Sequence, residues 1–426
     1  MKNKSHPLKD FLILWSTQSV SQLGSSITAF SLTLWLYETT GSSLSTATLT
    51  ICSYAPYVLM SIFAGALTDR FDKKKTMLVC DLLAVLCTIV IFVLFNTNRL
   101  MVWHLYALNV ISGLMNTVQQ PASEVAMTLI IPEKYYQKTS GLRSLSRSLV
   151  SILNPLIATA LYSFSGLNGV VAVDVGNFIV AFTALQFFIK IPESKSERKE
   201  SVFLLAKEGI GFLKNNPMIM TLLLFMSGIN LISSAFNATL PGYVLPNLKG
   251  GQTVLGIVTS CSGVAMVVGS LIVSALPKPK DRVKIVYLTM LFSMGTENFI
   301  LAFSREPVLW CIGQVIGWLL VPVMSTNLEV ILRTSIPVEL QGRVYACRNT
   351  LQFFTIPIGL FSGGFMVDNI CEPFMAEYGG LSVLKTLFGT GKGSGAALMM
   401  FILGVTGSLI CIIAGRKLKK YHYSET

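Results

Sequence analysis

The chain has 426 residues, 52% of them hydrophobic and only 13% charged, with a formal net charge of +12 and a mean hydropathy of +0.63. Soluble domains carry roughly twice that charged fraction, and here Phe11–Tyr37, Thr39–Thr68, Ser148–Val173, Asn215–Leu248, Gly250–Pro277, Pro307–Leu328 and Gly393–Gly415 contain no Asp, Glu, Lys or Arg. A membrane-crossing helix needs about 20 such residues, and seven such runs do not fit in one soluble core, so a soluble enzyme is excluded and an all-α membrane protein embedded in the lipid bilayer is predicted.

The first predicted helix, 11–37, follows the basic tail MKNKSHPLK. It is too long for a signal-peptide core and no small-residue cleavage site follows, so it is expected to remain in place. Helices are predicted next at 44–67, at 77–96 (carrying Asp81), at 101–122, at 146–165 (kinked by Pro155) and at 168–190 (carrying Asp174). A second set follows at 218–240, 252–276, 285–304 (carrying Glu297), 307–330, 345–367 (kinked by Pro357) and 394–415. The intervening stretch 191–217 holds the charged run ESKSERKE and then FLLAKEGIGFLKNN, which reads either as a short interfacial helix or as a solvated linker. The organisation expected is a six-helix bundle over 1–190, a cytoplasmic central loop over 191–217, and a second six-helix bundle with a short tail over 218–426.

Charge orients this arrangement. With both termini placed in the cytoplasm, 28 of the 33 Lys and Arg fall in cytoplasmic segments and 5 in external loops, as the positive-inside rule requires. The same rule accounts for the basic balance without nucleic acid as a partner. Eight scattered cysteines without a CxxC pair and three dispersed histidines point to no disulfide framework, no metal site and no cofactor.

The halves share further marks. Glu124 precedes Pro132 by eight residues, and Gly141 and Arg143 follow; Glu329 precedes Pro337 by eight residues, and Gly342 and Arg343 follow. Two repeated six-helix halves around a cytoplasmic loop are the plan of an alternating-access transporter.

After the second predicted helix comes GALTDRFDKKK, residues 65–75. It resembles the major facilitator superfamily signature G-x-L-x-D-R-x-G-R-K-x between helices two and three: Gly65, Leu67, Asp69 and Arg70 match, Lys73 and Lys74 replace Arg-Lys, and Asp72 stands in place of a Gly. Gly65 permits close helix contact, and Asp69 suits the positive end of a helix. The stretches LWLYETTGS (34–42), VDVGNFIVA (173–181), EGIGFLKNNP (208–217) and IPVELQGRVYA (336–346), in this order, are similar to the macrolide-efflux branch of the superfamily.

The resemblance implies a bacterial cytoplasmic-membrane exporter of amphipathic small molecules, macrolide-type drugs among them, working as a monomer with a proton as coupling ion. A facilitator of another metabolite or a siderophore is the alternative. Gly65, Asp69, Arg70, Lys73, Glu124 and Arg343 are implied as a cytoplasmic conformational latch, with Glu124 an anion for Arg70 or Lys73, or else an ordinary interfacial charge. The family lines its cavity with helices one, four, seven and ten. Here these offer Gln18, Gln22 and Ser25; Asn109, Asn116 and Gln120; Asn230, Ser233 and Asn237; and Gln314, Trp318 and Ser325. Each set falls on one helical stripe, for a substrate or for helix–helix hydrogen bonds. Intramembrane acids are functional by default, so Asp174 and Glu297 are the coupling residues expected, although both lie on helices the family places at the periphery. The helix-five antiporter signature is not met: SILNPLIATA (151–160) has Asn154 before Pro155 and no glycine.

Overall fold

A computed structural model describes the backbone of residues 7–70, 72–131, 135–189, 191, 202–277 and 279–421. Within these, side chains are described except at 7–8, 61–70, 128, 136–138, 140–141, 144, 202–207, 209, 338–339, 341–343, 346 and 382. The described residues are almost wholly helical and include no β-strand.

The helices in order are α1 (Pro7–Thr40), α2 (Ser43–Arg70), α3 (Lys73–Asn96), α4 (Val102–Ile130), α5 (Tyr136–Thr183), α6 (Val202–Asn215), α7 (Pro217–Val244), α8 (Gln252–Ala275) and α9 (Arg282–Phe303). They continue as α10 (Pro307–Leu319), α11 (Val321–Ser335), α12 (Val338–Phe353), α13 (Thr355–Met366), α14 (Glu372–Tyr378), α15 (Ser382–Phe388) and α16 (Ser394–Leu418), with π-helical turns at Ala184–Phe188 and Val367–Cys371. Breaks fall where the chemistry demands them. Pro322 and Pro357 lack the N–H that the fourth residue before each would accept, and the chain interrupts its helix at Leu320 and Phe354. α5 turns at Gly166, whose φ of 61° suits a residue without a Cβ. The stretch 202–215, left open between helix and linker, is α6.

Eight helical segments among the described residues are long and apolar enough to cross a membrane. Large apolar side chains such as Val93, Ile179, Val180, Leu271 and Ile413 remain exposed on their outer faces, the reverse of a soluble surface and what lipid contact requires.

The chain divides into two compact units, one of residues 1–36 and 49–199, the other of 37–48 and 200–426. In the first, two apolar clusters lie apart along the helices. One joins Phe11 and Leu14 of α1 to Met77 of α3 and Ala126 of α4; the other joins Leu32 and Leu36 to Ile91 and Leu105. The polar residues of α1, α3 and α4 fall between them. Gly113 of α4 lies against the backbone carbonyl of Ser53 in α2.

In the second unit α16 packs on α9 and α7, α13 on α7, and α10 on α8. Glycines let these backbones touch, as small residues do between membrane helices: Gly359 and Gly363 of α13 meet the Leu231 and Ala235 carbonyls, and Gly269 meets that of Leu319. The segment 37–48 joins this unit through Asp368. Its carboxylate accepts from the Ser42 hydroxyl at 2.6 Å and from the backbone N–H groups of Ser43 and Leu44 at 3.1 and 2.8 Å, satisfying N–H groups at the start of α2 that have no partner within the helix.

Candidate functional site

The polar residues of the first unit enclose a cavity of about 480 Å³. The six positions expected from helices one and four, Gln18, Gln22, Ser25, Asn109, Asn116 and Gln120, all lie on its wall. Carboxylates from outside helices one and four join them there, Asp81 from α3 and Asp174 from the second half of α5, so Asp174, on a helix the family places at the periphery, faces inward. A carboxyl group at this depth is costly toward lipid and turns to polar partners.

Each acid is held by neutral donors. Gln18 Nε2 donates to Asp81 Oδ2 at 3.3 Å and Gln119 Nε2 to Asp81 Oδ1. Ser25 Oγ donates to Asp174 Oδ1 at 3.2 Å and Thr88 Oγ1 to Asp174 Oδ2 at 3.1 Å. These contacts tie α1 and α4 to α3, and α1 and α3 to α5. Ser53 donates to Asn109 Oδ1 at 2.9 Å and Ser19 to Ser146 at 3.0 Å. Gln119, Thr28 and Thr88 stand on the wall without having been singled out from the sequence. The available signal was their position: Gln119 adjoins Gln120, and Thr28 lies one turn beyond Ser25.

At one edge of the cavity Glu124 accepts from Arg143 Nη2 at 3.1 Å and Arg147 Nη2 at 3.4 Å. In the second unit Glu329 accepts from Arg333 at 3.0 Å and Arg348 at 3.1 Å. Glu124 and Arg143 are 19 residues apart, and so are Glu329 and Arg348. The pairing repeats at one spacing, which the Gly–Arg matches in the sequence did not.

Of the other latch residues, the side chains of Gly65, Asp69, Arg70 and Arg343 lie outside the described residues, although α2 runs as helix to Arg70. Lys73 is buried at the start of α3. Asp72 serves where the signature has Gly: it is the N-cap of α3, its carboxylate accepting from Lys75 N at 2.7 Å, a favoured role for Asp. Lys74 Nζ donates to the carbonyls of Gln186 and Ile189 at 2.9 and 2.8 Å, closing a helix end that leaves carbonyls unpaired.

The predicted residues of helices seven and ten sit in the second unit. Asn230 Nδ2 donates to the Gln352 carbonyl at 3.1 Å, Gln314 is buried, and Asn237 is exposed. Trp318 Nε1 donates to Glu297 Oε1 at 3.1 Å. Glu297 is buried against the bare Cα of Gly317, and Ser293 Oγ donates to the Gly317 carbonyl at 2.6 Å, so α9 and α10 cross here around a carboxyl group.

Comparison with known proteins agrees with this architecture. The chain is 25% identical over 366 residues to Macrolide efflux protein A of Streptococcus pyogenes, covering 84% of this chain and 90% of that one. It is 21% identical over 358 residues to Multidrug efflux pump Tap of Mycolicibacterium fortuitum, covering 81% and 86%. Among solved structures, a bacterial homolog of the human lysosomal transporter Spinster superposes with a TM-score of 0.71 at 12% identity, over 99% of this chain and 100% of that one. The nucleoside transporter NupG gives 0.69 at 10% identity, over 95% and 98%; both share the fold. The family model for the Major Facilitator Superfamily matches residues 14–359. The protein is therefore a multi-pass membrane transporter and not an enzyme, and the chain belongs to the Major Facilitator Superfamily.

Proposed function

We propose that the protein is a secondary active exporter of amphipathic small molecules, macrolide-type drugs among them, working as a monomer by alternating access in the bacterial cytoplasmic membrane and driven by the proton gradient. The observation that carries this reading is the wall of the first-unit cavity. Amides and hydroxyls from α1 and α4 alternate there with apolar groups such as Leu32, Ile91, Leu108 and Phe178. A volume of about 480 Å³ lies within the range of small-molecule sites, roughly 300–1,000 Å³. The similarity to efflux proteins supports the outward direction, and Asp174 and Glu297, buried carboxyl groups able to take up and release a proton, are the coupling residues we assign. Gly65, Asp69, Arg70 and Lys73 are proposed to latch the α2–α3 turn.

Twelve crossings in two bundles, over 1–190 and 218–426, with both termini cytoplasmic, belong to the same proposal. Segment Leu145–Phe188 has 44 residues, about 66 Å of helix, twice the hydrocarbon thickness, and Gly166 lies near its middle. α1, α2 and α4, of 34, 28 and 29 residues, are each long enough to cross once more. The charge asymmetry of the loops sets the orientation.

Asp81 and Asp174 on the wall support a second reading, facilitation of a polar, positively charged metabolite. Everted vesicles from cells making the protein separate the two. Uptake of a labelled macrolide that collapses on adding a protonophore is expected; macrolide transport indifferent to the protonophore, or none beside transport of polar cations, refutes the export reading.

A further inference from the structure

Asp174 is 4% exposed, and among the described residues its hydrogen-bond donors, Ser25 and Thr88, are hydroxyls. Thr28, one turn beyond Ser25 on α1, lies beside the same carboxyl. Its Oγ1 is 5% exposed as a residue and reaches no hydrogen-bond partner in ordinary geometry. Three helices thus converge on one point with two carboxylate oxygens and three hydroxyl oxygens, the Thr28 hydroxyl lying against the carboxyl without a hydrogen bond of ordinary geometry. A Cβ on Gly24 would lie 3.2 Å from Asp174 Oδ1 and 2.7 Å from Asn177 Nδ2, so the bare backbone of α1 is what lets it close on α5 here.

The basic groups on the cavity wall, Arg143 and Arg147, are taken up by Glu124. The remaining titratable groups there are Asp81 and Cys87, neither of which brings positive charge. A buried carboxylate served only by neutral hydroxyls lacks a countercharge.

We propose that this oxygen cage is a sodium site: Na⁺ held by Asp174 with Ser25, Thr28 and Thr88, in exclusion of a proton on the same carboxyl. Hard cations take carboxylate and neutral oxygens at roughly 2.3–2.6 Å, and two ligands at right angles on such an ion stand about 3.4 Å apart. The hydroxyl–carboxylate separations of 3.1 and 3.2 Å need open by only tenths of an ångström. Each hydroxyl keeps two lone pairs and a rotatable proton, so Ser25 and Thr88 switch from donating to the carboxylate to ligating the ion by rotation about the C–O bond. A single carboxylate matches a monovalent ion; a divalent one generally draws on more anionic ligands. Ser25 is exposed on the cavity side, which provides the entry.

The inference rests on Asp174 being the coupling residue of the first unit. It is tested on the purified, detergent-solubilised full chain by saturation binding of ²²Na⁺ at alkaline pH. Binding should saturate and be displaced by excess NaCl and by acid, but not by KCl or choline chloride. Thr28→Val and Thr88→Val, which keep shape and lose the oxygen, should each weaken it roughly tenfold or more, since a contact to a charged group is at stake. Ser270→Ala, on the outer face of α8, should leave it unchanged, with helix content checked for every variant. No saturable binding, or Thr28→Val and Thr88→Val binding like the parent, overturns the site. Proton-driven macrolide export in sodium-free vesicles is measured in parallel: export retained without ²²Na⁺ binding sinks the sodium site alone, and ²²Na⁺ binding retained without export sinks the export reading alone.

Discussion

Trp318→Phe isolates the energetics of the buried acid in the second unit. The indole N–H donates to Glu297 Oε1 at 3.1 Å, and Glu297 is 4% exposed, so water does not readily replace the donor. Phe keeps most of the ring and removes the N–H. Leaving a buried acceptor without its donor costs about 1–3 kcal/mol, and the variant should lose about that much. In a Glu297→Leu background the indole has no acceptor left, and the same substitution should cost less than about 0.5 kcal/mol, a coupling of about 0.5–2.5 kcal/mol. Denaturant titration in mixed micelles, followed by far-UV circular dichroism, measures all four corners of the cycle. Penalties that add to within about 0.5 kcal/mol would refute the claim that this contact organises the α9–α10 crossing.

Asp174→Asn and Glu297→Gln should each reduce protonophore-sensitive macrolide uptake in everted vesicles; full activity in both removes them as coupling residues. Asp368→Ala strips the start of α2 of its acceptor and should cost about 1–2 kcal/mol in the same denaturant titration, where an unchanged midpoint would show the cap to be idle. Asp72→Ala should cost about 0.5–2 kcal/mol, whereas Asp72→Gly should cost a few tenths because Gly is tolerated at an N-cap; equal losses would contradict the capping role.

Helices were legible because lipid and core both demand apolar residues over a fixed length, and the runs around Asn215–Leu248 and Gly393–Gly415 leave no other reading. The polar stripes of α1 and α4 were legible for the related reason that residues three and four apart share a face. What joins them was not. Asp81 meets Gln119 across 38 residues, and Asp174 meets Thr88 across 86 and Ser25 across 149, separations with no local signature. Ordinal helix number placed Asp174 at the periphery, while the cost of a carboxyl against lipid argued for an inward side chain; the structure follows the cost. Trp318 and Glu297 were each singled out, for different tasks, and their hydrogen bond unites them. The repeat was visible as Glu and Pro, but its partner in each half is the arginine 19 residues on, recognisable only once the side chains meet.

The turn at Gly166 bears on how the chain enters the membrane at all. Asp174 is a poor passenger for an isolated segment, since an acidic residue at the centre of an inserting helix costs about 2.5–3.5 kcal/mol, and its partners on α1 and α3 belong to the folded bundle. With one residue of non-helical backbone between them, the two halves of α5, each a crossing in the proposed topology, would leave the insertion machinery as one hairpin. In that topology the charge-free stretch from Ser148 would supply the apolar surface that carries Asp174 in ahead of its hydroxyl partners.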